Sequence, residues 1–127
     1  MDVVKTNIKE CGVEKSVFLL GVKTNPYPYM KACDIYVQPS YEEGYSTTIC
    51  EAGTLGCAIV GTTSSGGIRE QVEDGVSAIL AEPNIEHLAT CIEKLLSDGE
   101  LQAEMKKNIK LIDFTNKNEI IKMMIRG

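Results

Sequence analysis

The sequence predicts an α/β domain: a parallel β-sheet with helices on both faces. Three observations lead to this reading. Short, largely apolar strand-like segments recur at Val17–Leu20, Asp34–Gln38, Ala58–Gly61 and Val76–Ala81. Stretches with helical character lie between and after them. Glycine, proline, asparagine or aspartate marks almost every junction. Strands covered on both sides read as unbroken apolar runs, and strands alternating with helices build a parallel sheet.

The elements follow in order. Met1–Cys11 is expected to be a helix stopped near Gly12, a residue suited to a helix C-terminus. Val17–Leu20, closed by Gly21, reads as a buried strand. Asn25-Pro26-Tyr27-Pro28 is a breaker cluster, followed by a short helical turn over Tyr29–Cys33. Asp34–Gln38 is strand-like and stops at Pro39-Ser40. A polar loop, Tyr41-Glu42-Glu43-Gly44, leads into a helix from about Ser46 to Leu55. Ala58–Gly61 is a buried strand, Thr62–Gly67 a loop of small hydroxyl residues, and Gly67–Val72 a short helix ended by Glu73-Asp74-Gly75. Val76–Ala81 is a further strand. Asn84 is placed to cap a helix whose apolar face is Ile85, Leu88, Ile92 and Leu95-Leu96. Another helix follows Asp98-Gly99 to about Ile112, and Thr115–Ile125 offers a last one, with Met105, Met123 and Met124 as core filler.

A chain of 127 residues with 43% hydrophobic content forms one domain with a real core, here residues 1–127. The net charge is −5, and the cationic residues are scattered. Nucleic acid, which rewards a basic stripe, is therefore not an expected partner. No apolar run approaches the ~18 residues a membrane span needs, and Met1–Gly12 lacks the pattern of a signal peptide. The five cysteines are widely spaced with no CxxC pair, which points to reduced, mostly buried thiols and a cytoplasmic protein. No metal-ligand cluster is visible, so no metal or other cofactor is expected.

Ligands of open parallel sheets bind outside the carboxyl ends of the strands. The richest loop there is Gln38-Pro39-Ser40-Tyr41-Glu42-Glu43-Gly44-Tyr45-Ser46-Thr47-Thr48. It runs from a strand into a helix, so its last amides are unpaired donors backed by the helix dipole, which suits a diphosphate. Gly44 permits close backbone approach, and Ser46, Thr47 and Thr48 add hydroxyls. Glu43 lies in the loop and Glu51 in the helix, with seven residues between them in the chain. A carboxylate can accept from two neighbouring hydroxyls, as on a ribose or another sugar. The plain alternative is a solvated loop glutamate and an exposed helical one.

The run PSYEEGYSTTICEAGTLGCAIVGTTSSGGIREQVEDGVSAILAEP, with VFLLG and YMKACDIYVQPS ahead of it, resembles the core signature of GT-B glycosyltransferases of the family 4, or group 1, type. The likeness runs from about Gly12 to Leu96. It implies a Rossmann-like parallel sheet flanked by helices, the C-terminal, donor-binding domain of such an enzyme, here incomplete. It further implies that the domain binds a nucleotide-diphosphate sugar and that the whole enzyme moves the sugar to an acceptor hydroxyl with retention of configuration. By this resemblance Glu43 lies near the transferred sugar at the reacting centre, and Glu51 accepts hydrogen bonds from the donor ribose. Gly44, Tyr45, Ser46, Thr47 and Thr48 set amides against the sugar and diphosphate. Lys23 falls near the nucleobase, and Glu70 at a later glutamate expected to be structural.

Some positions depart from the family pattern. Tyr45 stands for a phenylalanine and Ser46 for a glycine. Cys57-Ala58 stands for a small residue followed by proline, so the following turn is expected to be looser. The upstream strand with an Arg and a Lys that neutralise the donor phosphates has no counterpart, nor has the N-terminal acceptor domain. The chain is therefore expected to be inactive alone, with any membrane association residing in the missing part. The sole histidine, His87, is expected to be exposed and not a base. A non-catalytic nucleotide-sugar-binding or regulatory module of the same fold is the leading alternative. A related epimerase or phosphorylase fits the motif less well, and a dinucleotide-binding domain least, since no GxGxxG follows a first strand.

Overall fold

The computed structural model describes residues 2–21, 23–39, 47–63 and 66–112. Three strands, β1 (Ile35–Gln38), β2 (Ala58–Thr62) and β3 (Ile79–Ala81), form a parallel sheet in the order β1-β2-β3. Helices α1 (Asp2–Glu10) and α2 (Tyr27–Ala32) precede the sheet. Helix α3 (Thr47–Thr54) crosses from β1 to β2, and α4 (Gly66–Gln71) from β2 to β3. Helices α5 (Ile85–Ser97) and α6 (Gly99–Lys110) follow β3.

The period-two geometry of a strand divides the core into two layers. Ile59 and Leu80 point to one face, where they pack with Tyr27, Met30, Ile49, Cys50 and other residues of α2, α3 and α4. Ala58, Val60, Ile79 and Ala81 point to the other face, against Cys91, Leu95 and Met105 of α5 and α6. All five residues of β2 are buried, as a central strand covered on both sides requires. Helix α6 serves both layers, with Met105 on one and Ile109 on the other.

The ends of the helices follow from local chemistry. Gly12 holds φ +68°, and the N–H groups of Gly12 and Val13 close α1 onto the carbonyls of Lys9 and Ile8. This is the paired-carbonyl stop that a left-handed residue permits. Asn84 caps α5 as expected, its Oδ1 accepting from the His87 N–H at 2.7 Å. Asn84→Ala should cost about 1 kcal/mol, the usual worth of an N-cap. Thermal unfolding of the variant measures it, and an unchanged midpoint would contradict the cap.

The structure differs from the sequence reading in two places. Val17–Leu20 is not a strand: all four residues are solvent-exposed, Phe18 at 75%, and none pairs with β1, β2 or β3. An apolar run becomes a buried strand only where a ladder partner and a covering layer meet it. Among the described residues neither does. Second, β3 begins only at Ile79. The N–H groups of Val76 and Ser77 bond back to the Glu73 carbonyl, and that of Gly75 to the Ala78 carbonyl, so residues 75–77 form a turn.

The turn that leads into Cys57-Ala58 is tied down. Gly56 holds φ +78°, and the N–H groups of Gly56 and Cys57 close α3 onto the carbonyls of Gly53 and Ala52. The buried Cys57 thiol also donates to the Met30 carbonyl at 3.2 Å. Burial pushes this thiol above its usual pKa, with a further push from Cys33, so it stays a protonated donor. The expected helices over Ser46–Leu55 and Gly67–Val72 appear with ends shifted by about a residue. The helix expected over Thr115–Ile125 lies outside the described residues.

Candidate functional site

The parallel register brings the strands' carboxyl ends together, with Gln38 beside Gly61 and the Thr63 N–H bonded to the Ala81 carbonyl. Helix α3 returns from that edge, because a crossover between parallel strands runs antiparallel to them. Its first residues therefore sit where the sequence expects a ligand. Of the expected site, Glu43, Gly44, Tyr45 and Ser46 lie outside the described residues, and Thr47 opens α3.

Thr48 and Glu51 are three positions apart on α3, which puts them on one face with a rise of ~4.5 Å between them. Both are half-buried, whereas Ile49, Cys50 and Ala52 are fully enclosed in the core. The helix thus turns its apolar side to the sheet and carries Thr48 and Glu51 at the margin of that packing. The structure brings these two expected residues together.

A further residue joins them. The Tyr27 hydroxyl donates to Glu51 Oε1 at 3.2 Å. Tyr27 opens α2, is only 4% exposed and packs in the layer that holds Ile49, Cys50 and Ala52. Burial raises its pKa above the usual 10.0, and the charge and hydrogen bond of Glu51 raise it further. The phenol therefore remains a donor throughout the neutral range. Because the folded pKa is the higher one, this contact stabilises the fold below pH ~10. Its contribution is lost as pH rises further, when the unfolded tyrosine ionises first. The sequence reading treats Tyr27 only as part of a breaker cluster. The signal it carries is an aromatic set between Pro26 and Pro28, with a backbone fixed at the start of a helix.

The remaining candidates fall as follows. Lys23 places its Nζ 5.7 Å from the centroid of the Tyr29 ring. Glu70 lies in α4. His87 is exposed, and its Nδ1 accepts from the Glu82 N–H at 2.8 Å, so that nitrogen is engaged by backbone and not poised as a base. A cavity of about 450 Å³ is lined by Arg69, Gln71, Glu73, Ser77, Asn108 and neighbours. It contains none of the residues expected to meet a donor. Its polar lining serves the 73–77 turn: Ser77 Oγ accepts from the Glu73 N–H, and Asn108 Nδ2 donates to the Val76 carbonyl.

The family model for glycosyl transferases group 1 matches residues 2–112. The chain belongs to this family. Among curated relatives of this group 1 chain is the N-acetylgalactosamine-N,N'-diacetylbacillosaminyl-diphospho-undecaprenol 4-alpha-N-acetylgalactosaminyltransferase of Campylobacter jejuni. The two are 34% identical over 104 residues, which is 81% of this chain and 28% of the relative. Among solved structures, HepE of Anabaena in complex with UDP superposes with a TM-score of 0.84 at 27% identity, covering 98% of this chain and 36% of HepE. HepE has also been solved with UDP-glucose. The C-terminal domain of the group 1 protein LpcC from Francisella tularensis superposes with a TM-score of 0.76 at 26% identity, covering 86% of this chain and 57% of that one. These likenesses establish the GT-B fold of a group 1 glycosyltransferase, and the chain spans well under half the length of the C. jejuni relative and of HepE.

Proposed function

We propose that residues 1–127 are the donor-binding domain of a glycosyltransferase and take a nucleotide-diphosphate sugar at the start of α3. In the complete enzyme the sugar passes to an acceptor hydroxyl with retention of configuration. The observation that carries this reading is the half-buried Glu51 carboxylate beside Thr48, one turn into the helix that leaves the carboxyl edge of the sheet. Such a carboxylate accepts from the two hydroxyls of a ribose. UDP and UDP-glucose bound to HepE support a nucleotide-sugar ligand.

In this reading each motif residue has a task. Glu43 meets the transferred sugar at the reacting centre. The backbone from Gly44 through Tyr45, Ser46 and Thr47 to Thr48 offers N–H donors to the sugar and the diphosphate. Negative charge grows on the diphosphate as it leaves. Fixed amides at a helix N-terminus stabilise such charge more in the transition state than in the ground state. No metal is needed for that role. The acceptor is held by an N-terminal domain of the full-length enzyme, and the enzyme works in the cytoplasm.

An NMR titration of the isotope-labelled chain with UDP-, GDP- and ADP-sugars tests the donor site. The expected result is a set of shift changes confined to residues 43–51 and their neighbours, largest for one base. A folded sample whose spectrum responds to none of these donors would overturn donor binding by this chain.

A further inference from the structure

Resting on this donor-site reading, we propose that Tyr27 is a positioning residue that fixes the Glu51 carboxylate for a ribose diol. The contact joins α2 to α3 across 24 positions of sequence and is therefore a tertiary feature. Tyr27 is held on three sides. Its N–H donates to Asn25 Oδ1 at 3.1 Å, and Pro26 and Pro28 restrict the backbone around it. Its ring packs in the core with Met30, Ile49 and Ala52. Only the hydroxyl end reaches out of that layer, and it meets a glutamate that solvent also reaches.

A glutamate on a helix surface ordinarily samples several rotamers, and ordering it for a ligand costs conformational entropy. A phenol that cannot move and donates to one carboxylate oxygen removes much of that cost beforehand. Oε1 keeps a further lone pair and Oε2 is left to receive a second hydroxyl. Two adjacent acceptors in a set orientation match a vicinal diol. A phenylalanine would fill the same volume in the core. The hydroxyl therefore contributes little to packing, and it meets Glu51 across the helix boundary. The pair also explains the place of α2, a six-residue helix whose first residue reaches the site and whose last turn is held by the Cys57 thiol.

The test compares wild type, Tyr27→Phe, Glu51→Gln and the double variant by calorimetric titration with UDP, GDP and ADP and with the corresponding sugar nucleotides. Tyr27→Phe should weaken binding about tenfold, the scale of one lost hydrogen bond to a charged group. The loss should be equal for the free nucleotide and its sugar, since both carry the ribose. In the Glu51→Gln background the same change should cost clearly less than in wild type, because the charged acceptor that Tyr27 orients is already gone. Wild-type affinity in Tyr27→Phe, alongside weakened Glu51→Gln, would overturn the positioning role and leave the donor site standing. No binding by wild type would overturn both. A loss confined to the sugar nucleotide would place the action of Tyr27 away from Glu51 and also overturn it.

A readout independent of ligand guards against a Tyr27→Phe variant that fails to fold. In ring-labelled protein, Glu51→Gln should lower the ionisation midpoint of Tyr27, since the glutamate charge holds the phenol protonated. A midpoint unmoved by Glu51→Gln would show that the two groups do not act on each other, and the proposal would fail on that result alone.

Discussion

Glu51→Gln is expected to weaken binding of a nucleotide-diphosphate sugar by at least tenfold while leaving the thermal midpoint almost unchanged. Glutamine keeps the length of the side chain and an oxygen that can still accept from Tyr27, so the α2–α3 contact survives. What is lost is the negative charge and one of two acceptors. A hydrogen bond to a charged group is worth ~1.5–3 kcal/mol, which corresponds to roughly ten- to a hundredfold in affinity. Glu51→Ala should lose more affinity and should also destabilise the fold by about 1 kcal/mol, the net worth of a hydrogen bond, because it removes the Tyr27 contact between α2 and α3. Calorimetric titration and thermal unfolding separate the two effects. A well-folded Glu51→Gln protein with wild-type affinity would remove Glu51 from the site.

The contrast between these two variants shows what the sequence does and does not carry. Glu51 is a candidate in the sequence because the motif around it resembles that of the group 1 glycosyltransferases, a pattern carried along the chain. Tyr27 is not, because its role depends on a contact with a residue 24 positions away. Tertiary pairing of that kind leaves no periodic trace. The central strand β2 was legible for the opposite reason: burial on both faces imposes a continuous apolar run locally. The same rule misled at Val17–Leu20, since the run supplies only one half of a strand and the ladder partner must come from elsewhere. The turn that leads into Cys57-Ala58 is held by a glycine with positive φ and by a thiol bonded to another element, and the second of these is again a tertiary contact.

The apolar face of α5 offers the sharpest check on how far periodicity reaches. Leu95 and Leu96 are adjacent and chemically identical, and spacing alone assigns both to the face that packs inward. The structure separates them: Leu95 is fully buried against Met105 and the sheet, whereas Leu96 is 61% exposed. Consecutive helical residues point ~100° apart, so the inward stripe can hold only one of them at full depth. Leu95→Ala should therefore destabilise the domain by ~2–5 kcal/mol, combining lost transfer energy with the cavity left in the layer between α5, α6 and the sheet. In a domain of this size that lowers the thermal midpoint by roughly 10 °C or more. Leu96→Ala should stay within about 0.5 kcal/mol of wild type, as expected for a substitution at the surface. Because neither residue touches α2 or the start of α3, nucleotide affinity below the unfolding transition should be unaltered in both. Equal destabilisation by the two substitutions would mean that α5 is rotated about its axis relative to the sheet. The inner layer formed by Cys91, Leu95 and Met105 would then need to be redrawn.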